Sequence, residues 1–218
     1  MATLQVVEIF DSLQGEGSWA GYPMTFVRLA GCNAGELGLD CRAWCDTPQS
    51  WAGSAGAEME VAEVLDRVSL PRLCLTGGEP LLQLDSVMQL AAGAHQRGLL
   101  VHLETNGTVG PPTRVAEAGG VTAGGGGRVF DWVVVSPKPP DYFIARGWRG
   151  LVDELKLVVD GSLDSAIAEK LAAEHPESVM SIQPLAGAPE SLKQAVDLVM
   201  RHSRWRLSLQ IHKLLGLR

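Results

Sequence analysis

Alternation between short apolar, β-branched runs and helical patterns constrains this chain more than any other feature. Runs of the first kind cover residues 24–30, 72–76, 99–104, 131–136, 154–160, 179–184 and 206–212, and most read as strands buried on both faces rather than as two-faced ones. Helical patterns lie between several of them, at residues 61–68, 84–97, 163–173 and 191–202, the last with Leu192, Val196 and Val199 on one face. Strand and helix in turn predict a parallel sheet covered by helices and joined by right-handed crossovers, either open or closed into a barrel. Two connections break the pattern: the stretch after the first run, through TPQSWAGSAGAEME, and the segment EAGGVTAGGGGRV at 117–129, too rich in glycine for a stable helix. A complete eightfold barrel takes about 250 residues, so the expectation for these 218 is α/β, a partial TIM-type barrel of about six parallel strands with few helices. No linker or repeat divides the sequence, which reads as one domain over 1–218.

The polar residues are not scattered. GCN follows the first apolar run, TGGEP the second, ETNGT the third, SPK the fourth, QPL the sixth and HK belongs to the end of the last. In parallel α/β sheets and barrels the carboxyl ends of the strands carry the active site, so these clusters predict a functional rim.

On that rim the stretch AGCNAGELGLDCRAWCDT places Cys32, Cys41 and Cys45 in one loop of a chain with one other cysteine, Cys74. Three thiols cannot all pair, and thiolates suit zinc or an iron–sulfur cluster, leaving one coordination position open. A structural zinc site closes with a fourth ligand, and His212 at the rim could complete a Cys3His set, so the loop alone fits either metal. Cys74, inside RLCLT, reads as a small buried hydrophobe. In TGGEP, paired glycines after a strand let the backbone approach a ligand closely, although a tight βα turn asks for the same residues. Arg28, mid-strand in TFVRLAG, needs a partner if buried. Trp44, Trp132 and Trp148 read as packing residues, Trp44 over the cysteine loop. The GGGG run lacks the lysine and hydroxyl of a phosphate-binding loop.

Composition narrows the function. A net charge of −7 with no basic stripe argues against a nucleic-acid surface and toward a small-molecule ligand. No apolar run reaches the eighteen or so residues that span a bilayer, and MATLQVVEIFDSLQGEG has no signal-peptide pattern. The expectation is a soluble protein of the reducing cytoplasm, where clustered cysteines serve metals or catalysis.

The cysteine loop after the first run together with GGEP after the second resembles the radical S-adenosylmethionine superfamily. SLQGEG, Arg28, CDT, TGGEP, ETNGT, SPK, QPL and the terminal SLQIHKLLGLR resemble, nearly end to end, its 7-carboxy-7-deazaguanine synthase family. The resemblance implies a lyase of queuosine and 7-deazapurine biosynthesis that converts 6-carboxy-5,6,7,8-tetrahydropterin to 7-carboxy-7-deazaguanine with loss of ammonia. It implies a [4Fe–4S] cluster on Cys32, Cys41 and Cys45, S-adenosylmethionine on the fourth iron, and Mg2+ at Thr47. Gly78, Glu79, Glu104, Ser136, Pro137, Lys138, Gln183, Pro184, Leu185 and Ala186 would meet S-adenosylmethionine. Leu13, Gln14, Gly15, Arg28, Thr76 and the carboxylate of Arg218 would bind the pterin, with Glu16 and His212 as catalytic residues. A flavodoxin- or ferredoxin-type electron donor and a homodimer are implied as well. Two rivals stay open: an activase of glycyl-radical enzymes, and a non-catalytic zinc module.

The loop departs from the superfamily's usual C-x3-C-x2-C, reading C-x8-C-x3-C. Enlarging the first gap costs about 0.9 kcal/mol of loop closure, small beside the roughly 10 kcal/mol that metal–thiolate ligation contributes. The insertion is affordable, and the altered second gap makes Cys41 the ligand to test.

Overall fold

The computed structural model describes residues 2–112 and 128–217. The glycine-rich segment at 117–129 lies outside them except for its last two residues, as does Arg218.

Among the described residues nine strands form one sheet: β1 (Thr3–Leu13), β2 (Pro23–Leu29), β3 (Ala57–Glu60), β4 (Arg72–Gly77), β5 (Leu100–Thr105), β6 (Trp132–Val135), β7 (Glu154–Val159), β8 (Val179–Pro184) and β9 (Arg206–Leu207). Their order is β3-β1-β2-β4-β5-β6-β7-β8-β9, so the sheet is open, with β3 and β9 at its edges. From β2 to β9 every pairing is parallel; β1 runs antiparallel to β2 and β3. Among the described residues five α-helices accompany it: α1 (Val61–Asp66), α2 (Leu84–Gln96), α3 (Ser165–Glu174), α4 (Pro189–Arg201) and α5 (Ile211–Leu215). None is long and apolar enough to cross a membrane.

Period-two alternation divides the strands between two buried faces. Leu73, Leu75, Val101, Leu103, Val133, Val135, Leu155, Leu157 and Val159 join the apolar core with Val87, Leu90, Ala91 and Ala94 of α2, Leu171 of α3 and Leu198 of α4. The intervening residues, among them Thr76, His102, Glu104, Lys156 and Gln183, face the opposite side. Strands such as β7, buried at every position, thus read correctly as doubly buried, but only one of their faces is apolar.

Four elements differ from the sequence reading. β1 and β3 were not expected, because charges at Glu8 and Asp11 interrupt the first and AEME carries no β-branched residue. The last apolar run ends as strand at Leu207, and His212 lies on α5 instead. α4 is turned: Ser191, Ala195 and Leu198 are buried, while Leu192 and Val196 stay 42% and 38% exposed. Ser191 anchors that rotation, donating to the Val159 carbonyl at 2.6 Å and accepting from Leu185 N at 2.8 Å.

Candidate active site

A cavity of about 710 Å³ opens at the carboxyl ends of the parallel strands. Its floor carries an ion triad. Lys156 Nζ, from β7, donates to Glu16 Oε2 at 2.6 Å and to Glu104 Oε2 at 2.7 Å. Glu104 Oε1 lies 3.1 Å from His102 Nε2 and accepts from Gln14 Nε2 at 3.2 Å. Burial pushes the Glu104 carboxyl up, but Lys156 and His102 outweigh it and hold it at about 2 against an ordinary 4.5. Glu16 is likewise lowered, burial being overcome by Lys156, and the two carboxylates hold the Lys156 ammonium above its usual range against its own desolvation.

These directions set an acid limit. A carboxylate depressed on folding contributes stability that is present above its unfolded value and lost as pH falls through its folded one. Melting temperature should therefore fall between pH 5 and 2, with about 3 kcal/mol riding on Glu104. Glu104→Gln should flatten that limb in melts across pH at equal cluster loading; an unchanged slope would place the acid sensitivity elsewhere.

The segment after β1 reaches over this floor. Gly15 O accepts from Ile211 N at 2.9 Å, and Gln210 Nε2 donates to Glu16 Oε1 at 2.7 Å. A side chain at Gly15 would put its Cβ 1.8 Å from His212 Nδ1, so glycine is what lets the histidine pack there. Lys213 Nζ reaches Asp46 at 2.6 Å, tying α5 to the cysteine loop. Arg28 Nε bonds Glu8 Oε1 at 2.7 Å with its guanidinium 5.7 Å from the Phe10 ring.

The cysteine loop is stitched to three neighbouring clusters of the rim. Gly31 N and Cys32 N bond Ser50 O and Trp51 O at 2.8 and 3.1 Å, closing the loop on itself, and Asp40 N bonds Pro139 O at 3.1 Å. Asn33 bonds Asn106 and Thr108 at 3.0 and 2.8 Å. Glu79 N bonds Gly31 O at 2.8 Å. All four cysteines are free thiols, and Cys32, Cys41 and Cys45 line the cavity. Burial raises Cys32 and Cys41 above the usual thiol range, so metal binding there releases protons. Trp51 Nε1 lies 3.3 Å from Cys45 Sγ, a donor suited to a thiolate.

Among the described residues no three His, Cys, Asp or Glu side chains converge on a single ion. A cubane cluster asks for something else, one thiolate per iron spread across its width. Three thiols around one cavity fit that group, and Gly78 completes the fit: a Cβ there would stand 2.1 Å from Gly31 O and 2.8 Å from Cys32 Cβ. For an anionic or polar second ligand the rim offers Lys138, which bonds Ser136 Oγ at 2.7 Å and forms no ion pair among the described residues. Desolvation lowers its pKa despite Cys41 nearby.

Of the residues singled out in the sequence, Leu13, Gln14, Gly15, Glu16, Arg28, Thr47, Thr76, Gly78, Glu104, Ser136, Lys138, Gln183, Pro184, Leu185, Ala186 and His212 line this cavity with the three cysteines. Glu79 and Pro137 do not. Glu79 is fully buried behind the wall, accepting from Leu81 N, Thr105 Oγ1 and Asn106 N at 3.1, 2.8 and 2.7 Å; it shapes the TGGEP turn. Burial raises its pKa. Arg218 lies outside the described residues. Sequence reasoning missed Lys156, Glu8, Gln210 and Lys213. Lys156 sits in the run ELKLVV, where a lysine amid buried strand residues was the available signal.

No family model matches the chain, but curated proteins do. The 7-carboxy-7-deazaguanine synthase of Bacteroides thetaiotaomicron is 38% identical over 214 residues, covering 98% of each chain. That of Methanospirillum hungatei is 36% identical over 221 residues, covering 98% of this chain and 86% of the relative; that of Bradyrhizobium diazoefficiens is 36% identical over 234 residues. Among solved structures, the crystal structure of QueE from Escherichia coli superposes with a TM-score of 0.70 at 24% identity, over 95% of this chain and 93% of that one. This last likeness speaks for the fold.

Proposed function

The chain belongs to the 7-carboxy-7-deazaguanine synthase family, and from that premise we propose how its residues divide the work of the reaction. It is a radical S-adenosylmethionine lyase of queuosine and 7-deazapurine biosynthesis, built on a partial barrel, that turns 6-carboxy-5,6,7,8-tetrahydropterin into 7-carboxy-7-deazaguanine with loss of ammonia. The observation that carries the assignment of roles is the convergence on one cavity of the cysteine loop, Arg28, the Gln14–Glu16 segment and His212. Neither a glycyl-radical activase nor a zinc staple gives these a reason to meet.

When bound, a [4Fe–4S] cluster with S-adenosylmethionine supplies reductive cleavage of the C5′–S bond and with it hydrogen abstraction from the substrate. Cys32, Cys41 and Cys45 would hold the cluster. Gly78 keeps the strand end against that loop, while Ser136, Lys138 and the Gln183–Ala186 segment would receive S-adenosylmethionine. Lys138 suits a carboxylate there, being a cation without an ion-pair partner among the described residues. Thr47, whose Oγ1 lies 3.5 Å from Cys45 Sγ, would offer magnesium an oxygen between the cluster loop and the substrate; Asp46 is committed to Lys213.

The pterin would lie over the triad. Gln14, Glu16 and the Gly15 backbone present acceptors and donors to its aminopyrimidinone edge. Arg28, braced through Nε by Glu8, would direct its other guanidinium donors to the substrate carboxylate as a fork. Glu16 and His212, the latter packed against Gly15, both line the cavity and would hold or move a proton at the ring. The α5 segment, bonded to Gly15, Glu16 and Asp46, closes one wall against water. The remaining features of this reading are a single domain over 1–218, a homodimer, a flavodoxin- or ferredoxin-type donor and a cytoplasmic setting that keeps the thiols reduced.

Deazapurine formation from the carboxylated tetrahydropterin under anaerobic reduction tests the reading, and Arg28→Ala sharpens it. Losing a charge-assisted bond worth about 1.5–3 kcal/mol should raise KM for the pterin roughly 10- to 150-fold while S-adenosylmethionine binding holds. An unchanged KM would remove Arg28 from the substrate site.

A further inference from the structure

Lys156, on the floor of the cavity, is bonded to two carboxylates. Those carboxylates arrive from distant parts of the chain, Glu16 from the segment after β1 and Glu104 from β5. The lysine side chain is 9% exposed, against 15% and 16% for the two glutamates. Each glutamate uses its second oxygen as well, Glu16 toward Gln210 at 2.7 Å and Glu104 toward Gln14 at 3.2 Å and His102 at 3.1 Å. Lys156 therefore joins the substrate segment to the sheet at a single nitrogen, and Glu16 carries the link on to the carboxyl-terminal segment through Gln210.

We propose that Lys156 is a positioning residue of the synthase reaction: it holds Glu16 and Glu104 side by side as acceptors, so that the face reading the pterin ring is built before the substrate arrives. The proposal rests on the synthase reading of this cavity. Its physical basis is charge. Two carboxylates brought this close without a cation repel, and one takes up a proton and becomes a donor. An aminopyrimidinone edge presents N–H groups, which need acceptors opposite them. A lysine bonded to both carboxylates removes the repulsion and fixes both orientations at once, while their two charges offset the cost of burying its own. The other titratable groups that bear on this cluster are His102 from β5, Cys74 from β4 and Lys138 from the segment after β6. On its own strand, Glu154 is held separately by Ser18 N at 3.0 Å and by Ser181.

The test compares wild type, Lys156→Met and the double variant Lys156→Met with Glu104→Gln, each reconstituted with cluster, by kcat and KM for the tetrahydropterin across pH. In Lys156→Met, KM should rise at least tenfold at neutral pH, and kcat/KM should gain a limb rising with pH as the unbridged carboxylates shed a shared proton. The cluster spectrum and its response to S-adenosylmethionine should stay as in wild type. The double variant keeps one carboxylate, so it should lose the rising limb yet retain the elevated KM, because Glu16 still lacks its brace. Should Lys156→Met fail to fold, the double variant decides alone: elevated KM supports the proposal and wild-type KM overturns it. A folded Lys156→Met with the wild-type KM and pH profile overturns it too. Wild-type turnover is the control. If wild type makes no deazapurine, the synthase reading falls and takes this proposal with it, whereas an active wild type beside an unaltered variant sinks the proposal alone.

Discussion

Gly78→Ala is expected to strip the protein of its cluster and abolish turnover while leaving the sheet intact. The added Cβ would lie 2.1 Å from Gly31 O, 2.7 Å from Gly31 C and 2.8 Å from Cys32 Cβ. Two of those atoms are backbone, so no rotamer change relieves the clash. The strand end itself cannot retreat, because the neighbouring Gly77 holds φ at +144° and lies against Leu29, where a Cβ would stand 2.2 Å from the carbonyl oxygen. Cys32 must move instead, and a first ligand displaced by an ångström costs more than the roughly 10- to 100-fold in metal affinity of an outer-shell change. Iron per chain after anaerobic reconstitution measures this directly, with circular dichroism confirming the fold. Wild-type iron content in the variant would mean the loop is not held as described.

The second large effect is the division among the four cysteines. Cys32→Ala, Cys41→Ala and Cys45→Ala should each lose the [4Fe–4S] absorbance and all activity, whereas Cys74→Ala should keep both and lose only about 1 kcal/mol of stability, the ordinary cost of a small core change. Cys74 is fully buried in β4, and its thiol is pushed far above the usual range by burial, with Glu104 adding to that; it is the least available of the four as a thiolate. Cys41 is the decisive variant because its spacing is the unusual one. The structure gives the eight-residue gap a compact path: Leu37 N bonds Asn33 O at 3.0 Å and Leu39 N bonds Ala34 O at 2.8 Å, so the added residues turn back on themselves and deliver Cys41 to the same cavity as its partners. A Cys41→Ala protein with an intact cluster would take it out of the ligand set.

The rim was legible because its signals are local. TGGEP, ETNGT, SPK and QPL each directly follow an apolar run, and apolar runs of this kind mark strand ends well. What stayed hidden depends on partners far away in sequence. Lys156 looks like an anomaly in ELKLVV until Glu16 and Glu104, 140 and 52 residues distant, are placed beside it. Glu79 reads as a ligand contact beside two glycines, yet its carboxylate is turned to Thr105 at the end of β5 and to Asn106 just after it. Helical periodicity put Leu192 and Val196 inward; Ser191, reaching two carbonyl-end segments at once, sets the other face. β1 escaped notice because a strand with charges at Glu8 and Asp11 carries function along its length: Glu8 braces Arg28 and Asp11 accepts from Thr25 at 2.6 Å.

The central claim is that this cavity performs the synthase reaction with the altered cysteine loop. Mass spectrometry of an anaerobic incubation of reduced, reconstituted protein with S-adenosylmethionine and 6-carboxy-5,6,7,8-tetrahydropterin tests it most directly. The account predicts 7-carboxy-7-deazaguanine and 5′-deoxyadenosine, both absent with Cys45→Ala; 5′-deoxyadenosine without any deazapurine, or a colourless protein carrying stoichiometric zinc, would contradict it.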